Sequence, residues 1–173
     1  VDKTRAGGAA VKALTITQPW ATLIAQGHKR IETRSWSTNY RGPLAIHAGK
    51  NLPNWVADLV RSEPKFTTVL GDLFDPSKQA LGDLPRGFIV ATCQLVAVKF
   101  IPLHDKGWDW IGPTGRRFHY PVTDCELAFG NFTVGRYAWL LADVTPLEKP
   151  IPTRGALGLW SVPAYVMKQM VQP

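Results

Sequence analysis

The chain has 173 residues, the size of one compact domain, and 45% of them are hydrophobic, so disorder over the whole length is excluded and a core can form without staples. Its formal charge is +7, and nearly all of the excess lies early: residues 1–50 carry eight Lys and Arg against only Asp2 and Glu32. A basic stretch within structured sequence suits a polyanion-facing surface and equally describes a solvated face. The two cysteines, Cys93 and Cys125, have no metal-ligand or redox spacing, and a disulfide between them is left open. No 18-residue apolar run or signal-like leader is present, so no membrane role and a cytoplasmic location are expected.

Residues 1–12 are mostly small or polar and are expected to form a flexible arm before one domain over 13–173. Ala13 to Thr17 reads as a strand. Pro19 to Gln26 reads as a short amphipathic helix, with Trp20, Leu23 and Ile24 at helical spacing and Gly27 as its terminating glycine. The sequence then turns polar from His28 to Trp36. Pro43 to Ala48 is a strand with Leu44, Ile46 and Ala48 on one face and Ala45 and His47 on the other. Asn54 to Ser62 is a helix with Trp55, Leu59 and Val60 in its apolar stripe, and residues 64–86 read as an irregular insertion. Gly87 to Leu103 is too long for one regular strand, which predicts a bend or bulge. Residues 104–134 read as aromatic loop, Tyr137 to Val144 as a strand closed by Pro146, Pro150 to Pro163 as loop, and Ala164 to Val171 as a terminal helix. Strands broken by short helices without regular alternation indicate an α+β fold or a partly open barrel.

The chemically loaded stretch is Gly27-x-Lys29-x-x-Glu32-x-Arg34. Glu32 and Arg34 share a face if the backbone is extended, whereas Lys29 reaches that face only through a turn over residues 28–31. Two cations would then flank one carboxylate. Lys29 and Arg34 would hold a phosphate, and Glu32 would accept from a base edge or act as a general base. The same charges would also form an ion-pair cluster on a solvated loop, worth roughly 0–1 kcal/mol. Seven tryptophans exceed what a core of this size demands, so some are expected to line a cleft.

Gly27-His28-Lys29-Arg30-Ile31-Glu32-Thr33-Arg34 resembles the G-x-K-x-x-E-x-R signature of the ASCH domain family, and its surroundings agree. Leu14 to Ala21 is similar to that family's strand-to-helix lead-in, and Pro43 to Ala48 to its next strand. Gly135 to Trp139 and Arg154 to Trp160 resemble later segments of its longer bacterial and phage members. The likeness is strong over 13–50, good over 126–162 and absent over 64–86. It implies an α+β fold built on a PUA-like β-barrel of five or six mostly antiparallel strands, with short helices packed at its ends. It also implies a basic, Trp-lined cleft bearing the signature, with Lys29, Glu32 and Arg34 inside and Trp20 and Trp36 as stacking walls.

Gln18, His47 and Lys50 complete the ligand-binding set: Gln18 to read a base edge or cap the helix, His47 to donate to phosphate, Lys50 to add positive potential. The resemblance points to binding of RNA or a nucleotide, including a modified base, with single-stranded DNA as a further partner and no cofactor. One branch of the family resembles an amidohydrolase acting on N4-acetylcytidine. Its lysine matches Lys29, but its threonine falls at Glu32. A hydrolase acting on RNA or a modified nucleoside, with Lys29 and Glu32 as its catalytic pair, is therefore an alternative. A protein-interaction adaptor in transcription regulation is another. Tyr137, Trp139 and Trp160 read more readily as core than as ligand wall. Arg116 and Arg117 beside Phe118, His119 and Tyr120 suit either a nucleic-acid surface or an exposed loop. His104, Asp105, Asp109 and His119 have no metal-ligand spacing, and no metal is expected.

Overall fold

The computed structural model describes residues 11–71, 81, 83–101, 107–111 and 117–171. In chain order its elements are β1 (Lys12–Ile16), α1 (Trp20–Ala25), β2 (Ile31–Arg34), β3 (Gly42–Ala48), α2 (Asn54–Ser62), α3 (Pro64–Leu70) and β4 (Phe88–Phe100). There follow β5 (Gly107–Ile111), β6 (Arg117–Pro121), α4 (Asp124–Phe129), β7 (Tyr137–Pro152), β8 (Leu159–Ser161) and α5 (Ala164–Val171).

One six-stranded sheet, in the order β2-β7-β4-β3-β1-β8, carries the molecule, and β5 and β6 form a separate hairpin. All pairings are antiparallel except β1 with β3, which α1 and β2 separate in sequence. β4 and β7 are the long strands, and their register breaks at Ile89/Ala91, Thr92/Gln94 and Leu95/Ala97. Each break bends the pair and increases its twist, so the sheet curls into a half-barrel with short helices against it. The fold is α+β, as the sequence indicates.

Alternation fixes what each face buries. Leu14, Ile16, Leu44, Ile46 and Ala48 enter one cluster with Ala21 and Ile24 of α1 and with Trp139. Their neighbours Ala13, Ala45 and Ile89 point the other way and pack with Ile151, Val162 and Val166. A third cluster is helical: Leu23, Val56, Val60, Phe66, Leu70 and Phe129 join α1, α2, α3 and α4 beside the sheet. That helical layer is the support for one wall of the cleft described below.

Several segments depart from the sequence expectation. The polar stretch after Gly27 contains a strand, because Ile31 to Arg34 pairs with Leu140 to Tyr137 at the sheet edge. Lys12, assigned to the arm, opens β1 opposite Leu44 and Ser161; residues 1–10 lie outside the described residues. Residues 64–86 begin not irregularly but with α3: Pro64 suits a first helical turn, and the Glu63 carboxylate accepts from Lys65 N at 3.1 Å. Residues 72–80 and 82 of that insertion fall outside the description. The stretch 104–134 holds the β5–β6 hairpin and α4 rather than loop alone.

β7 continues through Pro146 to Pro152. Beyond Leu140 it has lost β2 as a neighbour and pairs only with β4, and such an edge position tolerates proline. β8 occupies the region read as loop. Cys93 is buried and Cys125 exposed, both as free thiols, and burial pushes the Cys93 thiol up to about 12. No helix among the described residues is long and apolar enough to cross a membrane.

Trp139 is fully buried opposite Glu32, and its indole is met edge-on by Trp36 at 4.7 Å between centroids. Trp139→Ala is expected to lower unfolding stability by about 3–5 kcal/mol, read as a shift in the urea midpoint.

Candidate functional site

Gly27 sets the site in motion. Its φ of +78° ends α1 in the left-handed region, where a side chain is costly. The chain folds back so that His28 N and Lys29 N both donate to Leu23 O, at 2.9 and 3.1 Å. This turn buries Lys29, only 1% of which is exposed, beneath the start of β2.

Lys29 Nζ donates to Ile31 O and lies 3.9 Å from Glu32 Oε2 and 3.7 Å from Glu126 Oε2. Glu32 Oε1 in turn lies 3.1 Å from Arg34 Nε, off the line of a hydrogen bond, and Arg34 Nη2 donates to Thr15 O at 2.9 Å. Charges alternate along Glu126, Lys29, Glu32 and Arg34, and the series ties β1, β2 and α4 together. Glu126 Oε1 also accepts from Arg30 N and Ile31 N, at 2.5 and 3.2 Å. Burial raises the Glu126 carboxyl above its ordinary value, against the opposing pull of Lys29 and those two amides.

Above this series lies a cleft of about 420 Å³. Glu32, Thr33 and Arg34 form one side, Thr15 to Thr17 another, Trp20, Trp55 and Leu59 a third, and residues 128–131 close it. Trp20 and Trp55 meet at 5.9 Å with planes tilted by 42°, and Phe66 supports Trp20 edge-on at 6.0 Å. Trp55 is 57% exposed, so an apolar ring face stands open at the cleft mouth. A larger hollow, about 650 Å³, lies beside Gly27, His28, Arg30 and Asp143, and among the described residues no Trp, Tyr or Phe lines it. The smaller cleft is the better candidate, because it joins aromatic faces to a partly exposed guanidinium.

The sequence profile of the ASCH domain matches residues 14–113, more than half of the chain. The chain belongs to the ASCH domain family. Over 41 residues it is 49% identical to activating signal cointegrator 1 of Homo sapiens, and equally so to that of Mus musculus, a stretch covering 24% of this chain. The match spans only 7% of the length of those curated relatives. Two crystal structures of mutant ZmASCH proteins from Zymomonas mobilis cover 94% of this chain and 96% and 94% of theirs, at 12% identity and a TM-score of 0.47.

Within this ASCH domain the expected site residues separate into groups. Trp20, Glu32 and Arg34 line the cleft, and Lys29 lies beneath it rather than on its surface. Gln18 is fully buried, with Nε2 donating to Pro85 O at 2.8 Å and Oε1 accepting from Thr22 N at 3.1 Å. Both ends of its amide are engaged inside the protein, and it serves the start of α1. Trp36 packs on Trp139 and is not part of the lining. Lys50 is exposed beyond β3. The Arg116 to Tyr120 and His104 to His119 groups lie outside the described side chains.

His47 is 2% exposed, with its ring edge-on to Trp160 at 5.5 Å. Nε2 lies 3.1 Å from Thr153 O, so it carries the proton and donates, leaving Nδ1 as a buried acceptor without a hydrogen bond. Burial lowers the His47 pKa.

Sequence reasoning missed Glu126, Trp55, Thr15 and Asn131. Thr123-x-x-Glu126 has the form of a capping box, and Thr123 Oγ1 does accept from Glu126 N at 3.2 Å. The Glu126 carboxylate, however, goes to Arg30, Ile31 and Lys29. Trp55 was assigned to an apolar stripe, yet the buried positions of α2 are Val56 and Val60.

Lys29→Met would remove the cation between two nearly buried carboxylates and leave Glu126 with none, a loss expected to cost about 3–5 kcal/mol. Lys29→Met with Glu126→Gln should recover part of it in the same denaturant titration. For His47, a lowered native pKa means that the unfolded chain binds the extra proton first. Its contribution is therefore full above the ordinary value of 6.5 and is lost as pH falls below it. The stability difference between the native chain and His47→Phe should shrink as pH drops through that window, and a difference flat with pH would refute the assignment.

Proposed function

We propose that this ASCH domain binds single-stranded RNA or a nucleotide by seating one base in the cleft between Trp55, Trp20 and the Glu32–Arg34 wall. The observation that carries the reading is the exposed Trp55 ring, tilted against Trp20, lining the same cleft as a guanidinium whose side chain is still a quarter exposed. An indole accepts any base by stacking, worth about 1–3 kcal/mol. Arg34, held by Thr15 O and Glu32, is oriented before a phosphate arrives, so little ordering entropy remains to be lost on binding. Glu32 lines the same wall and is the acceptor available to a base amino group. The exposed cations Arg30, Arg41 and Lys50 add long-range attraction for a polyanion. Single-stranded DNA fits the same chemistry, and a cytoplasmic setting belongs to the same reading.

Hydrolysis is the second reading, and Glu32 at the cleft wall is what favours it. Lys29 weighs against it as an acid or base, since it is buried between two carboxylates and a carbonyl. Turnover of RNA or acylated nucleosides that disappears in Glu32→Gln would establish the enzyme.

Binding is tested by tryptophan quenching and fluorescence anisotropy with uridine monophosphate and a short oligouridine. Affinity should fall steeply with salt. Trp55→Ala should weaken both ligands by roughly tenfold with the fold intact, since its ring is mostly exposed. Absence of binding at low salt, or a Trp55→Ala variant that binds as the native chain does, would sink the reading.

A further inference from the structure

Leu157 is 98% exposed, the most exposed of the large hydrophobic residues among those described. A lone apolar side chain on a surface is ordinary; the way this one is held is not. On one side of it, His47 Nε2 grips Thr153 O at 3.1 Å, and Gly155 lies flat against the His47 ring. A Cβ at Gly155 would stand 2.4 Å from His47 Cε1 and 2.8 Å from Thr15 Oγ1, so the contact excludes any side chain. Thr15 Oγ1 donates to Ala156 O at 3.0 Å, one residue before the tip. On the other side, Gly158 turns the chain at a φ of +66°, and Trp160 Nε1 donates to the same Thr15 hydroxyl at 3.1 Å. The loop is thus pinned on both flanks while its one large apolar side chain is pushed into solvent.

Thr15 is also the residue that joins this loop to the cleft. It lines the cleft, and its carbonyl accepts from Arg34 Nη2 at 2.9 Å. The loop and the site proposed for one base thus share Thr15, the loop through its hydroxyl and the cleft wall through its carbonyl. Arg154, exposed on the same loop, places a cation beside the apolar tip.

We infer that Leu157 is a wedge that packs against the base next to the one seated in the cleft, with Arg154 on the strand's phosphate. The inference rests on reading the cleft as a base site, and it goes beyond it by assigning a second nucleotide position and a strand, rather than a free nucleotide, as the preferred ligand. Aliphatic wedges of this kind unstack neighbouring bases in other nucleic-acid complexes. A wedge works when it is ordered beforehand, and the contacts of Thr153, Gly155 and Ala156 provide that order.

The experiment compares an oligouridine of about eight nucleotides with uridine monophosphate on the intact chain, for the native protein, Leu157→Ser, Leu157→Phe and Trp55→Ala. Leu157→Ser should weaken the oligomer by roughly fivefold to tenfold and leave the mononucleotide unchanged. Leu157→Phe should retain oligomer affinity, and Trp55→Ala should weaken both ligands. A 2-aminopurine placed within the strand should brighten on binding to the native protein and less so with Leu157→Ser. Equal oligomer affinity for Leu157→Ser and the native chain would overturn the wedge while leaving the cleft reading in place. Equal weakening of both ligands would also overturn it, because the loop would then act on the cleft itself. Failure of the native protein to bind either ligand at low salt would remove both proposals together. A loop whose substitution disturbs only contact with a protein partner, with strand affinity intact, would belong to protein docking and overturn the wedge.

Discussion

The buried ammonium of Lys29 is the constraint on which the site depends. A cation with almost no solvent access is tolerable only if carboxylates and a carbonyl surround it. From the turn before β2, Lys29 recruits Glu32 of β2 and Glu126 of α4, and these two demands fix where β2 and α4 can lie. Once Glu32 is held from below, its other oxygen is available to Arg34, and Arg34 reaches the β1 carbonyl of Thr15. The wall of the cleft is thus a consequence of burying one charge.

Each residue of the Gly27-x-Lys29-x-x-Glu32-x-Arg34 pattern has a separate mechanical reason. Gly27 permits the left-handed turn, and Lys29 follows that turn inward. Glu32 and Arg34, two apart on an edge strand, share one face with their cross-strand partners Trp139 and Tyr137. The spacing is that of a turn joined to a strand, which is why neither helical nor strand periodicity alone accounts for it. Arg34→Lys would keep the charge but lose the planar fork that spans Glu32 and Thr15 O at once.

Much of the fold was legible because it rests on local rules. The β1 to α1 lead-in, the alternation along β3, the helix at Asn54 and the terminal helix all follow from period, proline and glycine. The need for a bulge in β4 followed from its length. What escaped was set by distant partners. Ile31 to Arg34 is polar and short, and it becomes a strand only because β7 lies beside it. Pro146 looked like a strand end, but β7 has no second neighbour there for its missing N–H to disappoint. Of the site, Glu32, Arg34 and Trp20 could be found from sequence. Glu126 could not, since its contact with Arg30 spans 96 residues. Trp36 and Trp55 are indistinguishable by composition; only packing shows that one rests on Trp139 and the other on Trp20.

The charge arrangement also changes what the basic N-terminal third means. Lys29 and Arg34 are the cations of the signature, yet Glu32 and Glu126 stand against them, so the cluster as a whole is close to neutral. A neutral cluster exerts little pull at a distance. On the proposed reading, any long-range attraction for phosphate belongs to exposed cations, Arg30, Arg41 and Lys50 among them, and is screened by salt over about 8–10 Å. Contact within the cleft, in the same proposal, is a matter of shape and orientation: a ring face from Trp55, an oriented fork from Arg34 and an acceptor from Glu32. The proposed binding would thereby draw affinity and selectivity from different residues. Removing surface cations should act on the first, and altering the cleft wall on the second, because only the wall is held rigid by the buried lysine.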